Sequence, residues 1–195
     1  MLTTTVLLLL AAAGTSQQVP IPPRYDGFSI GANKNAPIQF EVFYDLMCPD
    51  SRRSWPTIKQ VVAHYDDNLN FILHRFPLPY HHNSYYSNWM AGVVNRVGTP
   101  SVPEIGVGAV WKWVDAIFEA QDSFGNAFTI NQTAAQVKDR MSQLAQSCCG
   151  ISNLTALDAA FSYHSPEEEA TRVSWKFGSG SRAISGTPSF QVNGV

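Results

Sequence analysis

Cys48 is the residue for which the surrounding sequence most clearly suggests a chemical role. Pro49 follows it and Ser51 stands three residues further on, in the order Cys-Pro-x-Ser. A proline suits the first helical position because it has no N–H to leave unpaired, so Cys48 is expected at or next to a helix N-cap. There, free backbone N–H groups and the positive end of the helix dipole favour thiolate over thiol. The pattern therefore predicts a nucleophilic cysteine.

The alternative is that Cys48 is a small buried hydrophobe at the end of a strand, which is how most free cysteines behave. Nearby charges do not decide between the two. Asp50 carries the same charge as a thiolate and opposes it, whereas Arg52 and Arg53 favour the anion if they turn toward it.

The segments around Cys48 predict a strand before it and a helix after it. Apolar residues alternate with the period of a strand over residues 38–46, and they recur at helical spacing over residues 55–65. Residues 70–76 predict a second strand, so the three elements form a βαβ unit with parallel strands. Pro56 lies inside the expected helix, where it predicts a kink.

Residues 77–180 are helical by pattern, with about five helices and two capping-box starts, at residues 101–104 and 133–136. Cys148 falls on the apolar stripe of the helix that starts at the second box, so we expect it to be buried. Structural roles are expected for Cys148 and Cys149. Adjacent cysteines rarely bridge each other because the ring is strained, although either could reach another thiol in an oxidising compartment.

The chain closes on a short strand at residues 189–192, followed by Asn193-Gly194, a strong hairpin signal. Thr187-Pro188 comes directly before this strand. A hairpin signal without a following strand leaves a sheet edge open, and it leads us to expect that the sequence is a truncated form of a longer protein.

The Cys-Pro corner, the helical block and the Thr-Pro strand resemble the DsbA-like branch of the thioredoxin-fold oxidoreductases, and the resemblance covers residues 38–195. It implies an α/β thioredoxin-like fold with a helical insertion at about residues 81–178. It also implies a cis Thr187–Pro188 bond that faces Cys48 across a substrate groove, with Pro49 on the same groove. The second cysteine of the family's Cys-x-x-Cys pair is replaced here by Ser51, so the site is monothiol.

The resemblance implies a secretory-pathway thiol–disulfide exchange protein in which Cys48 attacks a substrate disulfide while Ser51 and the helix terminus stabilise the thiolate. A second hypothesis is a non-catalytic client-binding or retention module, because a mixed disulfide without a resolving thiol is either a slow intermediate or a tether. A third, glutathione conjugation on a related scaffold, lacks a glutathione-binding signature. The expected partners are cysteine-containing proteins or peptides, and no cofactor is expected apart from glutathione as a co-substrate.

The N-terminal region predicts entry into the secretory pathway. Residues 1–16 have an apolar core too short to span a bilayer and then small residues, as in a signal peptide. Residues 17–37, rich in proline and glycine, predict an extended leader before the domain at residues 38–195. Asn131 and Asn153 lie in glycosylation sequons. A secretory or extracellular location is therefore expected.

Composition and charge exclude other classes of function. With 45% hydrophobic and 12% aromatic residues the chain can build a core, which argues against disorder. A formal net charge of −2 and no basic run longer than Arg52-Arg53 argue against nucleic acids and anionic membranes as partners. His81-His82 has no third ligand at a useful spacing, so no metal site is expected.

Overall fold

A computed structural model describes residues 26–30, 33–98 and 108–195 of the chain. The expected signal peptide, most of the expected leader and the capping box at residues 101–104 lie outside the described residues. The helices are α1 (Pro49–Tyr65), α2 (Ser84–Val97), α3 (Ala109–Glu119), α4 (Asn126–Thr129), α5 (Ala134–Cys149), α6 (Leu154–Ala160) and α7 (Pro166–Ser181). The strands are β1 (Phe28–Ile30), β2 (Ile38–Tyr44), β3 (Leu69–Arg75) and β4 (Ser189–Val192).

The strands form a mixed sheet in the order β1-β3-β2-β4. β2 and β3 are parallel, with Phe40 opposite Phe71, and α1 connects them, so the predicted βαβ unit is confirmed. β4 runs antiparallel to β2 and places Phe190 opposite Val42. The turn after β4 is also present, since Asn193 has a φ of 53° and Gly194 a φ of 84°.

The first strand lies within residues 17–37, where the sequence predicts an extended leader. Phe28–Ile30 pairs antiparallel with β3 and covers its outer edge. Three residues are too few to show an alternating pattern, and the neighbouring prolines and glycines favour a loop prediction.

Both faces of the central strands are buried, because helices cover the sheet on each side. On one face Phe71 of β3 contacts Trp55 of α1, with ring centroids 6.2 Å apart. On the other face Phe43 of β2 stacks on His74, whose ring also faces Phe177 of α7. This layered arrangement holds the start of α1 between the sheet and the inserted helices.

The helical insertion contributes most of the large core. Trp89 of α2 and Trp113 of α3 are fully buried, and their indole N–H groups donate to the carbonyls of Ala160 and Ser87. Trp111 packs on Trp55 with centroids 4.4 Å apart, which fastens the insertion to α1. Since a buried aromatic removes a large apolar area from water, these contacts fix α1 firmly.

The capping box that begins α5 is confirmed at Thr133 and Gln136. The prediction that Cys148 is buried on this helix is wrong, however. Cys148 is half-buried, whereas its neighbour Cys149 is 2% exposed. The buried residues follow each other at intervals of four from Val137 to Cys149, and Cys148 lies beside that row.

Every helix in the described parts of the chain is too short or too polar to cross a lipid bilayer.

Candidate functional site

Cys48 is the N-cap residue of α1, as predicted. Its backbone is extended, with φ −77° and ψ 124°, and Pro49 occupies the first helical turn. The carbonyl of Cys48 accepts the N–H of Arg52, which closes that turn. The residue is 5% exposed, and Pro49 beside it is exposed. The sulfur therefore lies just beneath the surface at the positive end of a 17-residue helix.

Thr187 and Pro188 lie against Cys48 although they are far away in sequence. The peptide bond between them is cis, and the Cys48 thiol donates to the Thr187 carbonyl at 3.4 Å. The structure thus brings together the Cys-Pro corner and the Thr-Pro segment that the sequence singled out. β4 follows immediately, and its pairing with β2 sets this contact.

Two hydroxyl groups at the site have no hydrogen-bond partner among the described residues: Ser51 Oγ and Thr187 Oγ1. Ser51 is 0% exposed, in the first turn of α1 and three residues after Cys48. A buried donor without an acceptor is destabilising by about 1–3 kcal/mol. Such groups are available to an anion or a ligand that enters the site.

The basic residues beside Cys48 are paired with carboxylates. Arg52 contacts Asp122 at 2.9 Å, and Arg53 pairs with Asp50 one turn before it. Asp50, which could oppose a thiolate, is thereby matched by a cation. Because these pairs are exposed, solvent screens them, and their effect at the sulfur is small. The helix terminus and the local polar groups are the principal electrostatic features of the site.

Gln121 was not predicted as a site residue, yet it holds the loop that carries Cys48. Its side-chain amide donates to the carbonyls of Leu46 and Cys48, each at 3.1 Å, and it is 3% exposed. It lies in a short 3-10 helix, Gln121–Phe124, directly after α3. A contact across more than 70 residues leaves no periodic signal in the sequence.

Asp45 anchors the same loop from the other side and was also missed. Its carboxylate accepts from the backbone N–H groups of Met47 and Leu78, at 2.8 and 3.2 Å. It also accepts from the Ser84 hydroxyl and from His81 Nδ1, the latter at 2.5 Å. A buried carboxylate is tolerated when several donors surround it, so Asp45 ties the loop to the start of α2.

The other two cysteines lie far from Cys48. The Cys149 thiol donates to the carbonyl of Ala109, at the first residue of α3, whereas Gln121 beyond the far end of α3 contacts Cys48. Twelve residues of mostly helical chain separate these two points by about 18 Å. All three cysteines are free. Neither Cys148 nor Cys149 can reach Cys48 in this fold.

The remaining candidates are dispersed. His81 binds Asp45, His82 is exposed, and within the described residues no group of three or more potential ligands could hold a metal ion. Asn131 and Asn153 are both exposed. Asn153 caps α6, and its side-chain oxygen accepts the Ala156 N–H at 3.0 Å.

No protein-family model matches the chain, and no curated protein sequence does so either. Solved structures do match. A candidate protein-disulfide isomerase from Pseudomonas syringae superposes with a TM-score of 0.66 at 20% identity, over 87% of this chain and 88% of that one. Wolbachia pipientis alpha-DsbA1 gives 0.61 at 17% identity, over 89% and 76%. Reduced DsbA1 from Neisseria meningitidis gives 0.53 at 15% identity, over 80% and 72%.

The chain has a DsbA-like thioredoxin fold. At these identities the likeness establishes architecture and not activity. Within the DsbA-like fold, the roles predicted for Cys48, Ser51, Pro49, Thr187 and Pro188 stay predictions, although the structure places Cys48 against Thr187.

Proposed function

We propose that this protein is a thiol–disulfide exchange protein that acts through Cys48 alone. The observation that carries the proposal is the contact of the Cys48 thiol with the Thr187 carbonyl, at the N-terminus of α1. A purely structural cysteine would need neither a helix N-cap position nor two unpartnered hydroxyls around it. The DsbA-like fold supports the same chemistry.

The exchange begins when the Cys48 thiolate attacks one sulfur of a substrate disulfide. A bond forms between Cys48 and that sulfur, the substrate disulfide breaks, and the second substrate sulfur leaves as a thiolate. No net oxidation of the pair of molecules occurs. The leaving thiolate takes a proton from solvent, and Cys48 remains in a mixed disulfide.

Ser51 determines what happens next, because its hydroxyl cannot attack a disulfide. It can donate a hydrogen bond to the thiolate, and its lack of another acceptor in the described residues makes it available for this. Cys149 contacts Ala109 and Cys48 contacts Gln121, and these two positions are about 18 Å apart along α3, so the mixed disulfide waits for an external thiol. Glutathione is a suitable one: its thiolate takes the substrate sulfur and releases Cys48.

The second candidate function is retention of client proteins through the same mixed disulfide, without turnover. The observation that favours it is the absence of a resolving thiol near Cys48 among the described residues. The two candidates differ only in how fast an external thiol releases the bound client.

The test is to trap adducts of the purified protein with a disulfide-containing peptide and to identify them by mass spectrometry. We expect one adduct, at Cys48, that is absent from Cys48→Ala and is unchanged in the Cys148→Ser/Cys149→Ser variant. Ser51→Cys should shorten its lifetime at least about tenfold, because an adjacent thiol displaces the substrate. If added glutathione accelerates release of the peptide, exchange is favoured. If added glutathione leaves the release rate unchanged, retention is favoured.

Iodoacetamide alkylation supplies the control for nucleophilicity. We expect Cys48 to react faster than the same cysteine in the urea-unfolded chain, and Ser51→Ala to slow it by removing a donor to the thiolate. A merely buried cysteine would react more slowly than in the unfolded chain, and adducts that persist in Cys48→Ala would place the chemistry elsewhere. Either result would refute the proposal.

We propose the secretory pathway or the extracellular space as the location. The apolar segment at the N-terminus and the two sequons support it, and both sequon asparagines are exposed in the folded domain. Disulfide substrates persist in oxidising compartments, so this location agrees with the proposed chemistry.

A further inference from the structure

Two large apolar side chains are exposed where α4 meets the turn before α5. Phe128 is 69% exposed and Ile130 is 71% exposed, more than any other large apolar side chain before Val195 in the described parts of the chain. We call these two residues the α4 patch. Neighbouring apolar side chains presented to water commonly mark a contact site, because their hydration is unfavourable.

The α4 patch is carried by a firmly held backbone. Thr129, between the two exposed residues, is buried, and its hydroxyl accepts the side-chain amide of Asn83 at 2.8 Å. The side chain of Asn126, at the start of α4, donates to the Tyr80 carbonyl at 2.8 Å and accepts the His82 N–H at 2.9 Å. The exposure of the patch is therefore fixed by the fold.

Asn131 directly follows the α4 patch. It is exposed, and Thr133 completes its sequon. α4 ends at Thr129, and Ile130 continues with a helical backbone, φ −57° and ψ −29°. Residues three positions apart on a helical backbone lie on the same face, and their side chains lean toward its N-terminal end. A group attached to Asn131 is therefore brought next to the Phe128 ring.

We propose that an N-linked glycan at Asn131 packs its first N-acetylglucosamine on Phe128 and covers the α4 patch. The inference rests on the proposed secretory location and is independent of the chemistry of Cys48. The donor is an oligosaccharide linked to a lipid pyrophosphate. The bond from C1 of the first sugar to the pyrophosphate breaks, a bond from C1 to Asn131 Nδ2 forms, and one amide proton leaves with the lipid pyrophosphate.

The chemistry of this sugar suits an aromatic partner. N-acetylglucosamine is uncharged, and one face of its ring presents mainly C–H groups. The face of an aromatic ring carries partial negative charge, so it attracts C–H groups, which carry partial positive charge. Contact between the two surfaces also removes apolar area from water. Because the glycan is covalently attached, its effective concentration at the ring is high.

The second sequon lacks such a partner. The residue three positions before Asn153 is Gly150, and Ile151 is only 6% exposed. The backbone of Asn153 is extended, with φ −91° and ψ 92°, and its side-chain oxygen caps α6. A glycan at Asn153 has no aromatic ring at the spacing that joins Asn131 to Phe128, so this sequon is the internal control.

The experiment compares three full-length proteins from one eukaryotic secretory host, each trimmed by an endoglycosidase to a single N-acetylglucosamine per site. Thr155→Ala carries the sugar at Asn131, Asn131→Gln carries it at Asn153, and the double variant carries none. In urea unfolding, the sugar at Asn131 should raise the folding equilibrium constant about fivefold over the double variant. The sugar at Asn153 should leave it within about twofold.

Phe128→Ala tests the contact itself, and the exposed position of Phe128 makes this a mild change to the fold. In the Phe128→Ala background the gain from the sugar at Asn131 should vanish. Phe128→Tyr should keep the gain, since tyrosine presents the same ring face. The comparison is a double-mutant cycle, so the effect of Asn131→Gln by itself cancels.

Occupancy of the two sequons, read by mass spectrometry, separates this inference from the location on which it rests. Glycan at Asn153 and none at Asn131 would overturn the inference and leave the secretory location standing, whereas glycan at neither would overturn both. A gain that survives in Phe128→Ala would show that the sugar does not use this ring. If the sugar leaves stability unchanged and Phe128→Ala slows adduct formation at Cys48 in the glycan-free protein, the patch is a client-docking surface, which also overturns the inference.

Discussion

Ser51 restricts the reactions open to Cys48, because its hydroxyl cannot attack a disulfide as a second thiol would. It sits in the first turn of α1 where a second thiol would complete a Cys-x-x-Cys pair, and it is fully buried without a hydrogen-bond partner among the described residues. An unpaired buried hydroxyl opposes folding, so a role in the site gives a physical reason for its presence. Under our proposal the hydroxyl finds its acceptor when Cys48 becomes a thiolate.

His74 lies near the C-terminal end of β3, buried between two carboxylates. Its ring contacts Asp26 Oδ2 at 2.8 Å and Glu41 Oε2 at 3.1 Å. Burial acts to lower the pKa of His74, but the hydrogen bonds to the two carboxylates outweigh it, and the pKa is raised. Burial acts to raise the pKa of Asp26, but the hydrogen bonds to His74 and Ser174 and the charges of His74 and Arg75 together outweigh it, so that pKa is lowered.

These shifts predict how stability depends on pH. The contribution of His74 is complete below its unfolded pKa, about 6.5, and is lost as pH rises through the raised folded value. His74→Gln should therefore destabilise the protein by about 3 kcal/mol at about pH 6, because it breaks a buried ion pair, and by less at about pH 9. Urea unfolding of both proteins at the two pH values measures the difference.

The matched control is His64→Gln, on the exposed surface of α1. It should change the free energy of unfolding by no more than about 0.5 kcal/mol at either pH. A His74→Gln effect that grows with pH would mean that the ring is neutral in the folded protein.

At the level of elements, the short 3-10 helix after α3 positions the Cys48 loop through Gln121. Gln121→Ala leaves the buried carbonyls of Leu46 and Cys48 without their side-chain donor. We expect a loss of about 2 kcal/mol in the free energy of unfolding and a changed rate of Cys48 alkylation, because the loop can move. Gln121→Glu should be at least as disruptive, since an ionised carboxylate cannot donate.

Gln143→Ala is the control for this pair of variants, because Gln143 is exposed on α5. Urea unfolding and alkylation are measured together. If Gln121→Ala lowers stability and leaves the alkylation rate of Cys48 unchanged, Gln121 supports the fold without positioning the thiol.

The elements that the sequence predicts well are those with a clear period or a strong cap. The β2 strand, the Pro49 start of α1 and the capping box of α5 are all present. What the sequence does not predict depends on distant contacts. β1 is defined by its pairing with β3, and Asp45 and Gln121 act on the Cys48 loop from opposite sides.

The whole molecule separates its two kinds of thiol. Cys48 lies where α1 meets the segment before β4, and the Cys148–Cys149 pair lies at the far end of α3. The inserted helices carry both sequons: Asn131 follows α4 and Asn153 precedes α6. Glycans at these positions would leave Cys48 accessible only if they project away from it, so their occupancy bears directly on the proposed function.

Expression in a eukaryotic secretory host should yield a protein that lacks its first residues and carries glycan at Asn131 or Asn153. Asn131→Gln removes the first sequon. Thr155→Ala removes the second and keeps Asn153, whose side chain caps α6 and whose replacement would itself be destabilising by about 1 kcal/mol. Each variant should have a lower apparent mass on gels than the parent protein only if its site carries a glycan, and glycosidase treatment should abolish that difference. Recovery of the chain with Met1 intact and without glycan would contradict the proposed secretory location, while the alkylation and trapping results for Cys48 would stand independently of it.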